Sequence, residues 1–258
     1  MRYALTVQYV GKNYLGSQIQ FDETGNEIKS TVQGELERAI CTLLIGIRYE
    51  SLHKERPVRT VFSGRTDRGV NALGQVVHFD YDKDIVASKF VYQLNEILPA
   101  DISVSDLRIV SEDFHSQKSA KLRHYRYEFI NRRYKQAFDG DLLRVKYPIQ
   151  LERMQKSLNY LLGEHDFSSF KSSGTLNPST VCSIYSIECK QAGDRVSIDI
   201  VGNRFLYNMV RTIVGTLLRI EGHNLEPDVM QEVLEARNRC KAGRTVSPYG
   251  LTLMKVEY

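Results

Sequence analysis

At 258 residues, with 42% hydrophobic and 26% charged side chains, the chain can bury a large core and is too apolar to be dominated by disorder. Its formal charge of +4 is mildly basic, so where the charge sits matters more than its sum. No apolar run reaches membrane-span length, and "MRYALTVQYVGK" lacks the apolar stretch of a signal peptide. The four cysteines (Cys41, Cys182, Cys189, Cys240) form no C-x-x-C pair, which argues against a zinc site or disulfide framework and points to reduced thiols in a cytoplasmic protein.

In chain order, "YALTVQYV" alternates with Leu5, Val7 and Tyr9 on one face and reads as a strand. "STVQGELERAICTLL" opens with Ser30 and Gln33 at capping-box spacing, and Val32, Leu36, Ile40 and Leu43 recur at helical spacing. A short strand follows at Val58–Phe62, then a glycine-rich turn, then the strand "QVVHFDY" with Val77, Phe79 and Tyr81 alternating. A helix over Ala87–Leu98 carries Phe90, Leu94 and Ile97 on one stripe and stops at Pro99; "SVSDLRIV" is a strand. The second half repeats the order. Arg123–Asn131 is a strand with Tyr125, Tyr127 and Phe129 on one face, and Leu151–Leu162 a helix ended by Gly163. "SIYSIECK" and "RVSIDIV" pair across Gly193-Asp194, "FLYNMVRTIVGTLLRI" is a helix, another helix follows Pro227, and "LTLMKVEY" is the last strand. The expected fold is α+β: two ferredoxin-like or RNA-recognition-like βαββαβ modules with antiparallel sheets, spanning 1–111 and 112–258, with an active-site cleft between them. Such sheets commonly present a face to single-stranded RNA, though the fold hosts many functions.

Three features could carry chemistry. The turn "SGRTDRGVNALGQVVHF" spaces Gly64, Gly69 and Gly74 by five and sets Asp67 between Arg65 and Arg68. Neither glycine pair is followed by Lys and Ser or Thr, so it is no phosphate loop, and no G-x-G-x-x-G occurs. An ordinary structural turn accounts for glycines and one ion pair. Two flanking arginines are more than such pairing needs, and they favour an ionised carboxylate. Second, "KSAKLRHYRYEFINRRYK" holds seven Lys and Arg against Glu128 alone, a local +6 exceeding the net charge of the chain. Tyr125, Tyr127 and Tyr134 are interleaved with it, as in a surface that neutralises phosphates and stacks bases. Tyr127 and Phe129 read as core, and Arg123, His124 and Arg126 as the alternate, RNA-facing side. Third, Arg211 borders the apolar stripe of its helix, where an arginine is usually a snorkelling surface group.

These segments together resemble a family. "GRTDRGVNALGQVVHF" is similar to the signature turn of the tRNA pseudouridine synthases of the TruA type. The likeness extends through "STVQGELERAI", "LPADI", "DFHSQKSAKLRHYRYEF", "LLGEHDFSSF", "NRFLYNMVRTIVGTLL" and "GLTLMKVEY". The resemblance implies that Asp67 is the catalytic carboxylate for cleaving the N1–C1′ bond of a uridine, whose base turns and rejoins through C5. Attack on the base, attack on the ribose and elimination at the ribose all stay open. It implies that Arg211 pairs with and orients Asp67, that Tyr125 lies against the target base, and that Arg65 helps turn the nucleotide out of the RNA stack. Arg68, Lys121, Arg123 and Arg126 are the expected further RNA contacts. No metal or other cofactor is expected; the implied partners are the anticodon stem-loop of tRNA and a second copy of the chain, with no membrane. The chain departs from the family pattern at Val10 (usually Asp), Ser17 (usually Trp), Asn71 (usually His), Gln117-Lys118 (usually Arg-Phe) and Cys182 (commonly Arg). A catalytically silent RNA-binding protein of the same fold is the main alternative. A carboxylate-dependent nucleoside or glycoside hydrolase is a weaker one, because the signature holds one carboxylate where that chemistry usually uses two.

Overall fold

In a computed structural model, residues 1–24, 27–28, 30–46, 57–174 and 179–258 are described. The chain is a mixed α+β protein that divides into two units. One comprises Met1–Ala120 with Leu253–Tyr258, the other Lys121–Thr252, so the last strand is counted largely with the first unit rather than with the 112–258 half.

In the first unit, β1 (Arg2–Tyr9) lies between β5 (Asn71–Asp80) and β6 (Ile102–Val110), antiparallel to both. The two-residue strands β2 (Gln20–Phe21) and β3 (Glu27–Ile28) form a separate hairpin. β4 (Thr60–Phe62) pairs antiparallel with β5, whose other neighbour is β12 (Leu251–Glu257). Two helices, α1 (Val32–Ile45) and α2 (Ala87–Ile97), complete the unit. The expected alternation holds in β1, where Leu5, Val7 and Tyr9 are buried. It fails in β5, where Gln75 through Phe79 are buried on both faces of the strand.

Local expectations change in both of these helices. The N-cap of α1 is Thr31, not Ser30: the Thr31 hydroxyl accepts from the Gly34 amide at 3.2 Å, while Ser30 sits at φ +76°, outside the extended backbone an N-cap needs. Gln33, freed from capping, donates to the Thr60 carbonyl at 2.9 Å and accepts from the Ile19 amide at 3.1 Å. On α2 only Phe90 and Leu94 of the expected stripe are buried; Ile97, the last helical residue, is exposed, and the extended C-cap Leu98 turns inward in its place.

In the second unit, β7 (Leu122–Asn131), β11 (Arg195–Gly202), β10 (Val181–Ala192) and β9 (Gly163–Asp166) lie in that order, antiparallel throughout, with β8 (Leu143–Val145) parallel to β7. The hairpin of β10 and β11 turns at Gly193, φ +59°, as its sequence required. Tyr127, Phe129, Val196, Ile198 and Ile200 fill the sheet's buried face, beside α3 (Leu151–Asn159), α4 (Met209–Gly222) and α5 (Val229–Glu235). α3 ends three residues earlier than expected, and Gly163, at φ +98°, opens β9 instead of closing a helix. α4 also starts late, because Asn208 takes the left-handed conformation and only Met209 onward is helical.

Candidate active-site residues

The turn that carries Asp67 connects β4 to β5 and is held from behind by buried polar groups. Ser17, 1% exposed, donates its amide to the Thr66 carbonyl (3.1 Å), and its hydroxyl accepts the Thr66 amide (2.8 Å). The Tyr9 and Thr66 hydroxyls are 2.7 Å apart. Gln75, fully buried, donates to the Gly64 carbonyl (2.9 Å) and accepts from Ser63 (2.5 Å). Burial pushes the Tyr9 phenol up to about 12, although hydrogen bonds from Thr66, Gln75 and Ser17 pull the other way, so it is a neutral hydroxyl at neutral pH. Beyond Asp67 the chain closes through the Val70 amide on the Asp67 carbonyl (3.1 Å), and Gly69 supplies the φ of +81° that this turn needs. Gly11 packs so closely that an added Cβ would meet the Val70 carbonyl oxygen at 2.0 Å, and its amide donates to Asn71 Oδ1 at 2.8 Å.

Within that frame Asp67 is half-buried, Gly16 bridges it in antiparallel fashion, and Arg65 and Arg68 are exposed on either side. The result is a fixed backbone with one carboxylate and two exposed cations at its surface. That suits an anion that must stay ionised beside a polyanionic ligand.

In the second unit, Tyr125 is buried on β7, with its ring edge-on to Phe205 (centroids 5.1 Å, 80°). Arg211 lies in the first turn of α4. Its Nε donates to the Val246 carbonyl at 2.8 Å and its Nη1 to Asn208 Oδ1 at 2.6 Å. Asn208 itself donates to Ser172 Oγ at 3.0 Å. Tyr127, one pleat beyond Tyr125, donates to the Ser247 carbonyl at 3.0 Å. Burial drives its phenol well above the ordinary range, with Arg211 opposing. Arg211 is thus more than a snorkelling surface group: its guanidinium is oriented by two protein acceptors.

The basic stretch divides into spent and available charge. Strand alternation places Arg123 on the same side as Tyr125 and Tyr127, so of the three residues assigned to the alternate face only His124 and Arg126 share it. Both meet Asp199 on β11: His124 Nε2 at 2.6 Å and Arg126 Nε at 2.9 Å. Arg123 donates to the Asn203 carbonyl at 2.6 Å, and Arg132 is tied to Asp139 and Asp194. Lys118, Lys121, Arg133 and Lys135 are exposed.

A family model described as tRNA pseudouridine synthase matches residues 158–258. A protein of Caldicellulosiruptor saccharolyticus named tRNA pseudouridine synthase A is 40% identical over 255 residues, 98% of either chain. Proteins of that name from Thermoanaerobacter sp. and Bacillus subtilis are each 37% identical, the first over 98% of both chains, the second over 100% of this chain and 99% of its own. The chain belongs to the tRNA pseudouridine synthase A family. Because the likeness to these synthases runs end to end, it spans both units and every residue described above. The groups that fix the synthase turn are not legible in the sequence: Ser17 reads only as a departure from the resemblance, Gln33 as part of a cap, and Gln75 and Glu37 carry no signal. Glu37 is fully buried on α1, where it accepts from the Thr60 amide (2.8 Å) and hydroxyl (3.0 Å) and so anchors the strand that leads into the turn. A charged residue on an amphipathic helix carries no sequence signal that it faces inward.

Proposed function

We propose that this chain converts uridine to pseudouridine in the anticodon stem-loop of tRNA, with Asp67 as the essential carboxylate and Tyr125 and Arg211 serving the same reaction. The reaction itself follows from family membership: the chain is an isomerase that makes pseudouridine in tRNA. The N1–C1′ bond breaks, the C5–C1′ bond forms, C5 loses a proton and N1 gains one, so nothing is oxidised and no atom is added. The observation that supports Asp67 is its setting, a half-buried carboxylate on a backbone gripped from behind and flanked by two exposed arginines. A nucleophile or base gains most when its geometry is fixed before the substrate arrives. Arg65 and Arg68 contact the RNA backbone, and Arg65 fills the stack as the uridine turns out. Tyr125 packs against the target base, and Arg211, with its guanidinium already oriented, holds the carboxylate ionised. Lys121 extends the phosphate-binding surface, and Arg123 and Arg126, whose guanidinium groups are already bonded within the protein, add less to it.

We also infer two finer structural points. In the first unit the sheet order β6-β1-β5-β4, antiparallel throughout, supports a ferredoxin-like βαββαβ module, and the second unit is read as its counterpart. The enzyme works as a homodimer, which sedimentation at micromolar concentration tests by giving twice the chain mass.

The deciding experiment is site-resolved pseudouridine mapping of an unmodified tRNA transcript incubated with wild-type protein and with Asp67→Asn. The expected result is new pseudouridine in the anticodon stem-loop with wild-type alone, and equal tRNA affinity for both proteins. Turnover by Asp67→Asn would remove the catalytic assignment. Tight binding with no pseudouridine from either protein would leave the silent RNA-binding alternative.

A further inference from the structure

We infer that Ser17 is a positioning residue for Asp67, and that its hydroxyl, rather than the main chain alone, sets where the carboxylate stands. The inference rests on the reading of Asp67 as the catalytic group. Three observations within the first unit carry it. Ser17 lies in the segment joining the start of α1 to the Asp67 turn: the Val32 and Gln33 amides, at the start of the helix where no intrahelical acceptor exists, donate to the Gly16 carbonyl (3.3 Å) and the Ser17 carbonyl (2.9 Å). Ser17 holds Thr66 by two bonds, its amide on the Thr66 carbonyl and its hydroxyl under the Thr66 amide at 2.8 Å, and Thr66 immediately precedes Asp67. The hydroxyl is buried, so without it no solvent water replaces it at the Thr66 amide.

The other groups around the turn act on different atoms. Gln75 holds the Gly64 carbonyl, Tyr9 the Thr66 hydroxyl, and Asn71 the Gly11 amide. None of them supplies an acceptor to the Thr66 amide in place of Ser17. Removing the hydroxyl therefore frees the peptide plane between Arg65 and Thr66, one residue ahead of Asp67, while the Ser17 amide still holds the Thr66 carbonyl and the rest of the turn stays tethered. A displacement of the reacting group by about 1 Å is enough to cost roughly a hundredfold in rate.

The test uses the full-length protein and compares wild-type, Ser17→Ala, Ser17→Cys and Asp67→Asn. Single-turnover rate and tRNA dissociation constant are measured on an unmodified transcript, with amide exchange over Ser63–Val70 and thermal midpoint on each protein. Ser17→Ala is expected to lose about ten- to a hundredfold in single-turnover rate. Its tRNA affinity stays within about twofold and exchange rises at the Thr66 amide, while other segments keep their protection. Ser17→Cys, similar in size with a weaker acceptor, loses less. A wild-type rate in Ser17→Ala, with Asp67→Asn inactive, overturns the inference and leaves the catalytic reading intact. A lost rate without faster exchange at Thr66 overturns it too, as does a loss that only tracks the thermal midpoint across both Ser17 variants. Turnover by Asp67→Asn removes the reading on which the inference stands.

Discussion

Asp199 shows how a neighbour decides what a basic residue is worth. It sits opposite Arg126 in the β7–β11 register and accepts from both Arg126 and His124, so the Arg126 charge is largely answered within the protein. Lys121 is exposed at the entrance to the same strand. A cation whose charge is already compensated releases fewer counterions when RNA binds. Lys121→Ala is therefore expected to weaken tRNA binding and to lower the slope of log affinity against log salt by about 1. Arg126→Ala moves that slope much less. Filter binding over a salt series separates the two, and equal slopes for both variants would show that Asp199 releases Arg126 to the RNA. The sequence presented these residues as equivalent members of one basic run; only the strand register distinguishes them.

Helix α1 does two jobs at the scale of an element. Its N-cap, Thr31, fixes where the helix begins, and two side chains of its next turns, Gln33 and Glu37, hold Thr60 of β4. Loss of a threonine cap typically costs about 1 kcal/mol. Thr31→Ala should lower the thermal midpoint by about 2–4 °C in a chain of this size, a shift calorimetry resolves. Ser30→Ala should leave it unchanged, since Ser30 does not cap. The apolar periodicity of α1 was legible in the sequence, whereas its polar face was not. Glu37 lies one position from the apolar Leu36, and periodicity assigns it to solvent. It is buried because β4 brings a backbone amide and a hydroxyl to it, a long-range event that a single helix cannot anticipate.

At the scale of the whole molecule, a buried histidine adds to the acid response. His78 on β5 accepts from the Ser116 amide at 3.2 Å and packs edge-on against Phe114 and His115. Burial first, then the charges of Arg2 and His115, lower it from 6.5 to about 4. Between those values the unfolded chain binds a proton that the folded one refuses, so stability is full above the upper value and falls as pH drops toward the lower. At one pKa unit per about 1.4 kcal/mol, the single group accounts for roughly 3 kcal/mol by the bottom of that window. Urea unfolding from pH 7 to pH 4 should show this loss in wild-type and a flatter profile in His78→Asn. Parallel profiles would assign the acid response to other groups. Among the described residues, no helix is long and apolar enough to cross a membrane.

The sequence by itself determined the family, the order of most elements and the short set of residues on which the proposed chemistry rests. Those depend on local periodicity, on turn residues and on motifs contiguous in the chain. Of the three glycines it placed in one turn, only Gly69 takes a positive φ, and Gly74 lies within β5. What it could not determine was which polar groups face inward and what they hold. Ser17 is 49 residues from Thr66, Glu37 is 23 from Thr60, and Arg126 is 73 from Asp199. Hydrogen bonds are short-ranged and directional, so a polar side chain acquires its role only when the fold brings its partner to it. The tertiary structure decided that Ser17 would grip the turn that carries the carboxylate, and that part of a basic surface would be neutralised from within.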